Sequence, residues 1–125
     1  MIIPEPSFTI GIEEEYLLVD RETRDIVSEP PPQLLADCEK ALGSAVRPEF
    51  LRCQVEIGTP ICQSTGEART QLAHLRRTIA ECADRYGLAP IAASTHPFAD
   101  WHSQRSTDKD RYNQLATDLQ VVARR

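Results

Sequence analysis

The spacing of apolar and polar residues changes several times along the chain, and each change marks an element. Phe8 to Ile12 and Tyr16 to Val19 read as one extended strand with a polar centre, Glu13-Glu14-Glu15. The polar turn Asp20 to Asp25 separates Leu17-Leu18-Val19 from Ile26-Val27, which predicts a hairpin. Pro30-Pro31-Pro32 forces an extended entry, and Pro32 suits the first turn of a helix that runs to about Leu42 and stops at Gly43. Strict alternation returns from Glu49 to Thr59: Leu51, Cys53, Val55 and Ile57 form an apolar face, and Arg52, Gln54 and Glu56 a polar one. Ser64-x-x-Glu67 is a capping box that opens the clearest helix. Leu72, Leu75, Ile79, Cys82 and Tyr86 share its apolar stripe, and Gly87 supplies its end. The opposite face, with Arg69, Arg76, Arg77, Glu81 and Asp84, reads as solvated. Leu88 to Ala93 is a short apolar run expected to be a strand, its direction relative to the others left open. A last helix is expected from about Asp108, capped by Thr107, with Tyr112, Leu115, Leu119 and Val122 on one stripe. This order of strands and helices predicts an α+β domain spanning residues 1–125.

The first strand carries the chemistry. Side chains alternate between faces, so Glu13 and Glu15 share one face, roughly 7 Å apart, while Glu14 points the other way with Ile12 and Tyr16. Two carboxylates that close repel, and burial worsens the repulsion. A divalent cation such as Mg²⁺ or Mn²⁺ resolves such a pair, as does a shared proton. The structural alternative is an edge strand whose acidic face blocks further pairing. If the first strand neighbours the Glu49–Thr59 strand, Glu56 joins Glu13 and Glu15 in a cluster of three, with Gly11 and Gly58 leaving room near the backbone. Further on, Pro97 restricts His96 to extended geometry in a loop that leaves a strand end, a frequent place for ligand contacts.

Four short motifs occur in order: Gly11-x-Glu13-x-Glu15, Val55-Glu56-Ile57-x-Thr59-Pro60, Thr95-His96-Pro97-Phe98-Ala99, and Arg111-Tyr112 opening a helix. In this order they resemble the N-terminal part of the carboxylate-amine ligase branch of the glutamate-cysteine ligase superfamily. The resemblance implies an antiparallel or mixed sheet with helices packed on one face, part of a longer ligase domain. It implies ATP and Mg²⁺ (or Mn²⁺) as cofactors, and a carboxylate substrate, with glutamate one candidate, that is phosphorylated and then attacked by an amine. It maps metal binding onto Glu13, Glu15 and Glu56, and nucleotide contacts onto Thr95 and His96. Catalytic roles fall on His96 and Arg111. The family's pattern continues past the Arg-Tyr helix with a His-rich strand and a long C-terminal half, neither of which occurs before Arg125.

Composition limits the other readings. A formal charge of -5 argues against a nucleic-acid footprint, which needs a clustered basic face. The acidity is local, with seven carboxylates and two arginines between Glu13 and Glu29. There is no P-loop motif, so ATP would be bound through metal rather than in a Walker site. No stretch approaches the ~20 apolar residues of a membrane span, and the first residues lack the pattern of a signal peptide, so a cytoplasmic location is expected. The four cysteines show no zinc spacing and read as reduced, buried thiols. The last helix needs a partner for its stripe; left uncovered, it would favour self-association. A non-catalytic module that holds metal or nucleotide, or an inactive fragment dependent on a partner chain, is the alternative to an enzyme.

Overall fold

A computed structural model describes residues 6–119. Strands β1 (Glu13–Asp20), β2 (Val46–Pro48), β3 (Gln54–Gly58) and β4 (Leu88–Ile91) form a four-stranded antiparallel sheet in the order β2-β3-β1-β4. With helices α1 (Pro32–Leu42), α2 (Thr65–Asp84) and α3 (Asp110–Leu119), the fold is α+β.

Local chemistry sets the helix limits. Pro32 begins α1, and Gly43 ends it with a positive φ of 59° that a side chain would oppose. Ser64 caps α2 by accepting a hydrogen bond from the Glu67 backbone N–H at 3.2 Å, while the Glu67 carboxylate reaches back to the Gln63 N–H at 2.7 Å. After α2, Gly87 at φ 71° turns the chain into β4.

Period-2 patterning places the core on one side of the sheet. Tyr16, Leu18, Val46, Val55, Ile57 and Leu88 meet Leu34 and Cys38 of α1 and Leu75, Ile79, Cys82 and Ala83 of α2. Removing these side chains from water is the main stabilising contribution. Leu17 and Val19 face the other way and are also buried, which is why the second half of β1 reads as an unbroken apolar run. All four cysteines are free and buried. Burial first, and then Cys82 beside it, pushes the Cys38 thiol up to about 12; burial pushes Cys53 to about 11, so neither is a ready nucleophile.

Three features depart from the sequence reading. The run Glu49–Thr59 is not one strand: it turns at Leu51–Cys53, and the short β2, not expected from the pattern, folds back on β3 with Pro48 opposite Val55. Residues 8–12 lie outside the ladder apart from an antiparallel bridge between Ile10 and Cys62. Helix α3 starts at Asp110 rather than Asp108, because Thr107 gives its N–H to the Phe50 carbonyl and its hydroxyl to that of Glu49. Val122 lies outside the described residues. The hairpin after β1 is present as a bridge between Val19 and Ile26. On α3, Tyr112 is buried, and Leu115 and Leu119 are exposed.

The two ends of β1 differ. Leu17–Asp20 pairs with β4, and Glu13–Leu17 pairs with β3, so the acidic first half of the strand extends past the end of β4.

Candidate metal centre

Register brings the carboxylates together. Antiparallel pairing sets Glu15 opposite Glu56 and Glu13 opposite Gly58 on the sheet face away from α1 and α2. The turn at Leu51–Cys53 is closed by the Gln54 N–H to the Leu51 carbonyl at 2.9 Å and by the Leu51 N–H to the Gln54 side chain at 3.1 Å. It returns the chain so that Glu49, just beyond β2, arrives at the same place. One carboxylate oxygen from each of Glu15, Glu49 and Glu56 lies within 4.8 Å of the others. Among the described residues none of the three forms a salt bridge.

The electrostatics follow. Burial, a hydrogen bond to Glu49, and the charges of Glu13 and Glu49 raise the Glu56 pKa above the ordinary carboxylate value, and Arg47, opposite it on β2, partly offsets them. Hard oxygen donors of this kind fit Mg²⁺ or Mn²⁺ rather than a thiol-preferring ion. Glu13 and Glu56 also line an adjoining cleft of about 490 Å³, with Arg47, Gly58 and Thr59. A Cβ at Gly58 would meet Glu13 Cγ at 3.7 Å, so the glycine leaves that wall low.

The other candidates are distributed differently. Thr95 is exposed in the loop after β4. His96 is buried at the turn end of β1: its Nε2 lies 2.9 Å from the Arg24 carbonyl, and its Nδ1 accepts from the Phe98 N–H at 3.5 Å. Both ring nitrogens are thus engaged within the protein, and His96 is not part of the carboxylate group. Arg111 is exposed in the first turn of α3, its guanidinium carbon 6.0 Å from the centre of the Tyr112 ring. Tyr112 packs edge-on against Phe50 at 5.7 Å, and its hydroxyl donates to the Pro48 carbonyl at 3.4 Å. Burial first, then the charge of Glu49, raises its pKa, which puts α3 within electrostatic reach of the cluster.

The model of glutamate-cysteine ligase family 2 matches residues 9–125, nearly the whole chain. The chain belongs to this family. Among family 2 relatives, proteins provisionally named glutamate–cysteine ligase 2 are similar to it: 62% identical over 121 residues in Jannaschia sp. (strain CCS1), 55% over 125 residues in Rhodospirillum rubrum, and 54% over 121 residues in Paracoccus denitrificans. In each case 97% of this chain aligns with 32% of the relative, so the chain spans about a third of the relatives' length.

Within this family 2 chain, sequence reasoning missed Glu49, Arg47 and Tyr112 as neighbours of the carboxylate cluster. In an unbroken strand Glu49 and Glu56 would be about 23 Å apart at the strand rise per residue. A polar residue at each end of the Glu49–Glu56 run was the available signal, and it becomes readable only once the turn is known.

Proposed function

We propose that this chain carries the N-terminal part of an ATP-dependent carboxylate–amine ligase site, in which Glu15, Glu49 and Glu56, with Glu13 beside them, hold Mg²⁺ or Mn²⁺. The observation that supports it is the convergence of three carboxylate oxygens within 4.8 Å, none of them in a salt bridge among the described residues. When bound, the cation supplies charge neutralisation for nucleotide phosphates and for phosphoryl transfer to a carboxylate. The chain's own residues prepare the place for it. Burial and crowding raise the proton affinity of Glu56, the latter a repulsion that a cation held there would offset and that Arg47, opposite it on β2, already limits, while Tyr112 holds α3 against the end of β2. Arg111 offers a planar fork suited to a carboxylate or phosphate. With its ring nitrogens engaged, His96 fixes the course of the loop that presents Thr95 to the nucleotide.

In the reaction so read, a carboxylate takes the terminal phosphoryl group of ATP, releasing ADP and forming an acyl phosphate, from which an amine displaces inorganic phosphate to give an amide. The relatives' names pair glutamate with cysteine, and we carry that pair over as the first substrates to try. A cytoplasmic location belongs to the same reading, since ATP is available there and thiols stay reduced. A non-catalytic metal-binding module is the second reading, favoured by the carboxylate cluster and its adjoining cleft being assembled from residues of this chain alone.

Titration of the 125-residue chain with Mn²⁺, with and without a non-hydrolysable ATP analogue, tests the site. Saturable binding is expected in the wild type, and at least a tenfold loss in Glu49→Gln and Glu56→Gln, roughly what removing one ligand-supporting group costs or more. Equal affinity in all three proteins would overturn the assignment. ATP-dependent amide formation by the chain alone would favour an enzyme over the module.

A further inference from the structure

Glu14, the third carboxylate of the acidic strand, takes no part in the cluster and faces the helices. There Arg76 of α2 grips it with both arms of the guanidinium: Nε donates to one oxygen at 2.8 Å and a terminal nitrogen donates to the other. The Tyr16 hydroxyl donates to the same carboxylate from two residues along the strand. Such a two-point arginine contact fixes orientation as well as distance. Its place in the sheet gives it a second role. The segment Glu13–Tyr16 lies beyond the end of β4 and has ladder partners only in β3, while three successive carboxylates repel one another along it.

We propose that Arg76 is a positioning residue for the metal centre: by clamping Glu14 to α2, it holds the first half of β1 flat on β3, and the alternation of the strand then aims Glu13 and Glu15 at the opposite face. This inference rests on the proposed cation site. The helix layer thereby sets the geometry of a site on the far side of the sheet without touching it. Side chains at Glu13, Glu14 and Glu15 are coupled because a rotation of the strand that releases one turns the others with it. Arg76 itself touches neither the cluster nor its cleft.

The test compares Arg76→Gln with the conservative Arg76→Lys in the 125-residue chain, reading amide hydrogen exchange without metal and Mn²⁺ affinity by electron paramagnetic resonance. In Arg76→Gln, exchange at Glu13–Tyr16 should rise at least tenfold while α1 and β4 keep wild-type protection. Mn²⁺ affinity should fall about tenfold, the low end of the loss seen when supporting groups of a metal site are removed. Arg76→Lys should recover part of both. Should Arg76→Gln not fold, Glu14→Gln, which keeps the side-chain shape and removes the charge, carries the same comparison. Unchanged exchange at Glu13–Tyr16 would overturn the clamp whether or not the ion binds. Absence of Mn²⁺ binding in the wild type would instead sink the cation site, and the exchange data would still judge the clamp. Wild-type affinity despite local loosening would overturn the positioning role.

Discussion

Glu14 and Glu56 sit on neighbouring strands of one sheet, and their proton affinities are pushed in opposite directions. The hydrogen bond from Arg76 holds the Glu14 carboxyl below its ordinary value of 4.5, whereas burial and the nearby carboxylates lift Glu56 above it. Linkage gives the two residues opposite signs. Glu14 contributes stability that is fully present above the unfolded pKa and is lost as pH falls through its lowered folded pKa. Glu56 is destabilising when ionised, so stability is gained as pH falls through its raised pKa toward 4.5. Without metal, chemical denaturation should therefore show the wild type gaining stability relative to Glu56→Gln as pH falls from neutral toward the ordinary carboxylate value of 4.5. Below about pH 4.5 the wild type should lose stability faster than Glu14→Gln. A wild type and Glu56→Gln with parallel pH profiles would contradict the crowded cluster. In the sequence, Glu13, Glu15 and Glu56 were visible as candidates because period-2 alternation assigns faces without knowledge of partners. Glu49 was not, since its face and its distance from Glu56 depend on a turn made elsewhere.

At the scale of elements, boundaries set by short-range chemistry were legible and those set by distant partners were not. Pro32, Gly43, Ser64 and Glu67 act within a few residues of themselves, and α1 begins and ends, and α2 begins, where these residues require. The turn at Leu51–Cys53 contains no glycine, proline or asparagine, and its residues continue the alternation of β3. It is secured from far along the chain, by the Arg52 N–H to the Arg105 carbonyl at 2.8 Å and a bridge from Leu51 to Ser106. Thr107, held by the Phe50 and Glu49 carbonyls just before that turn, delays the start of α3. Replacing Ser64 by alanine should cost about 1 kcal/mol by removing the cap of α2, measurable as a lower urea midpoint at unchanged slope. No shift at all would mean that Glu67 and the following turn hold the end of the helix without it.

For the whole molecule, stability rests on one layer of apolar contact between the sheet and two helices. Ile79 is fully buried at its centre, and Ile79→Ala should cost roughly 2–5 kcal/mol, a large part of the 5–15 kcal/mol typical of such domains. Calorimetry would read this as a lower Tm, and a change under about 1 kcal/mol would place the core elsewhere. Mn²⁺ at about a hundred times its Kd should add about 2.7 kcal/mol to the wild type and much less to Glu56→Gln. The outer strands of the sheet bear on a different property. Each carries a proline, Pro48 in β2 opposite Val55 and Pro90 in β4 opposite Leu18. Leu18 gives its N–H to Cys53 on the other side of β1, so Pro90 presents its hydrogen-free nitrogen outward. An incoming extended peptide would meet a missing donor on either rim, and along the uncovered start of β1 it would meet Glu13, Glu14 and Glu15. The sheet is thereby a poor template for fibril growth, and concentrated solutions of this chain should resist cross-β aggregation.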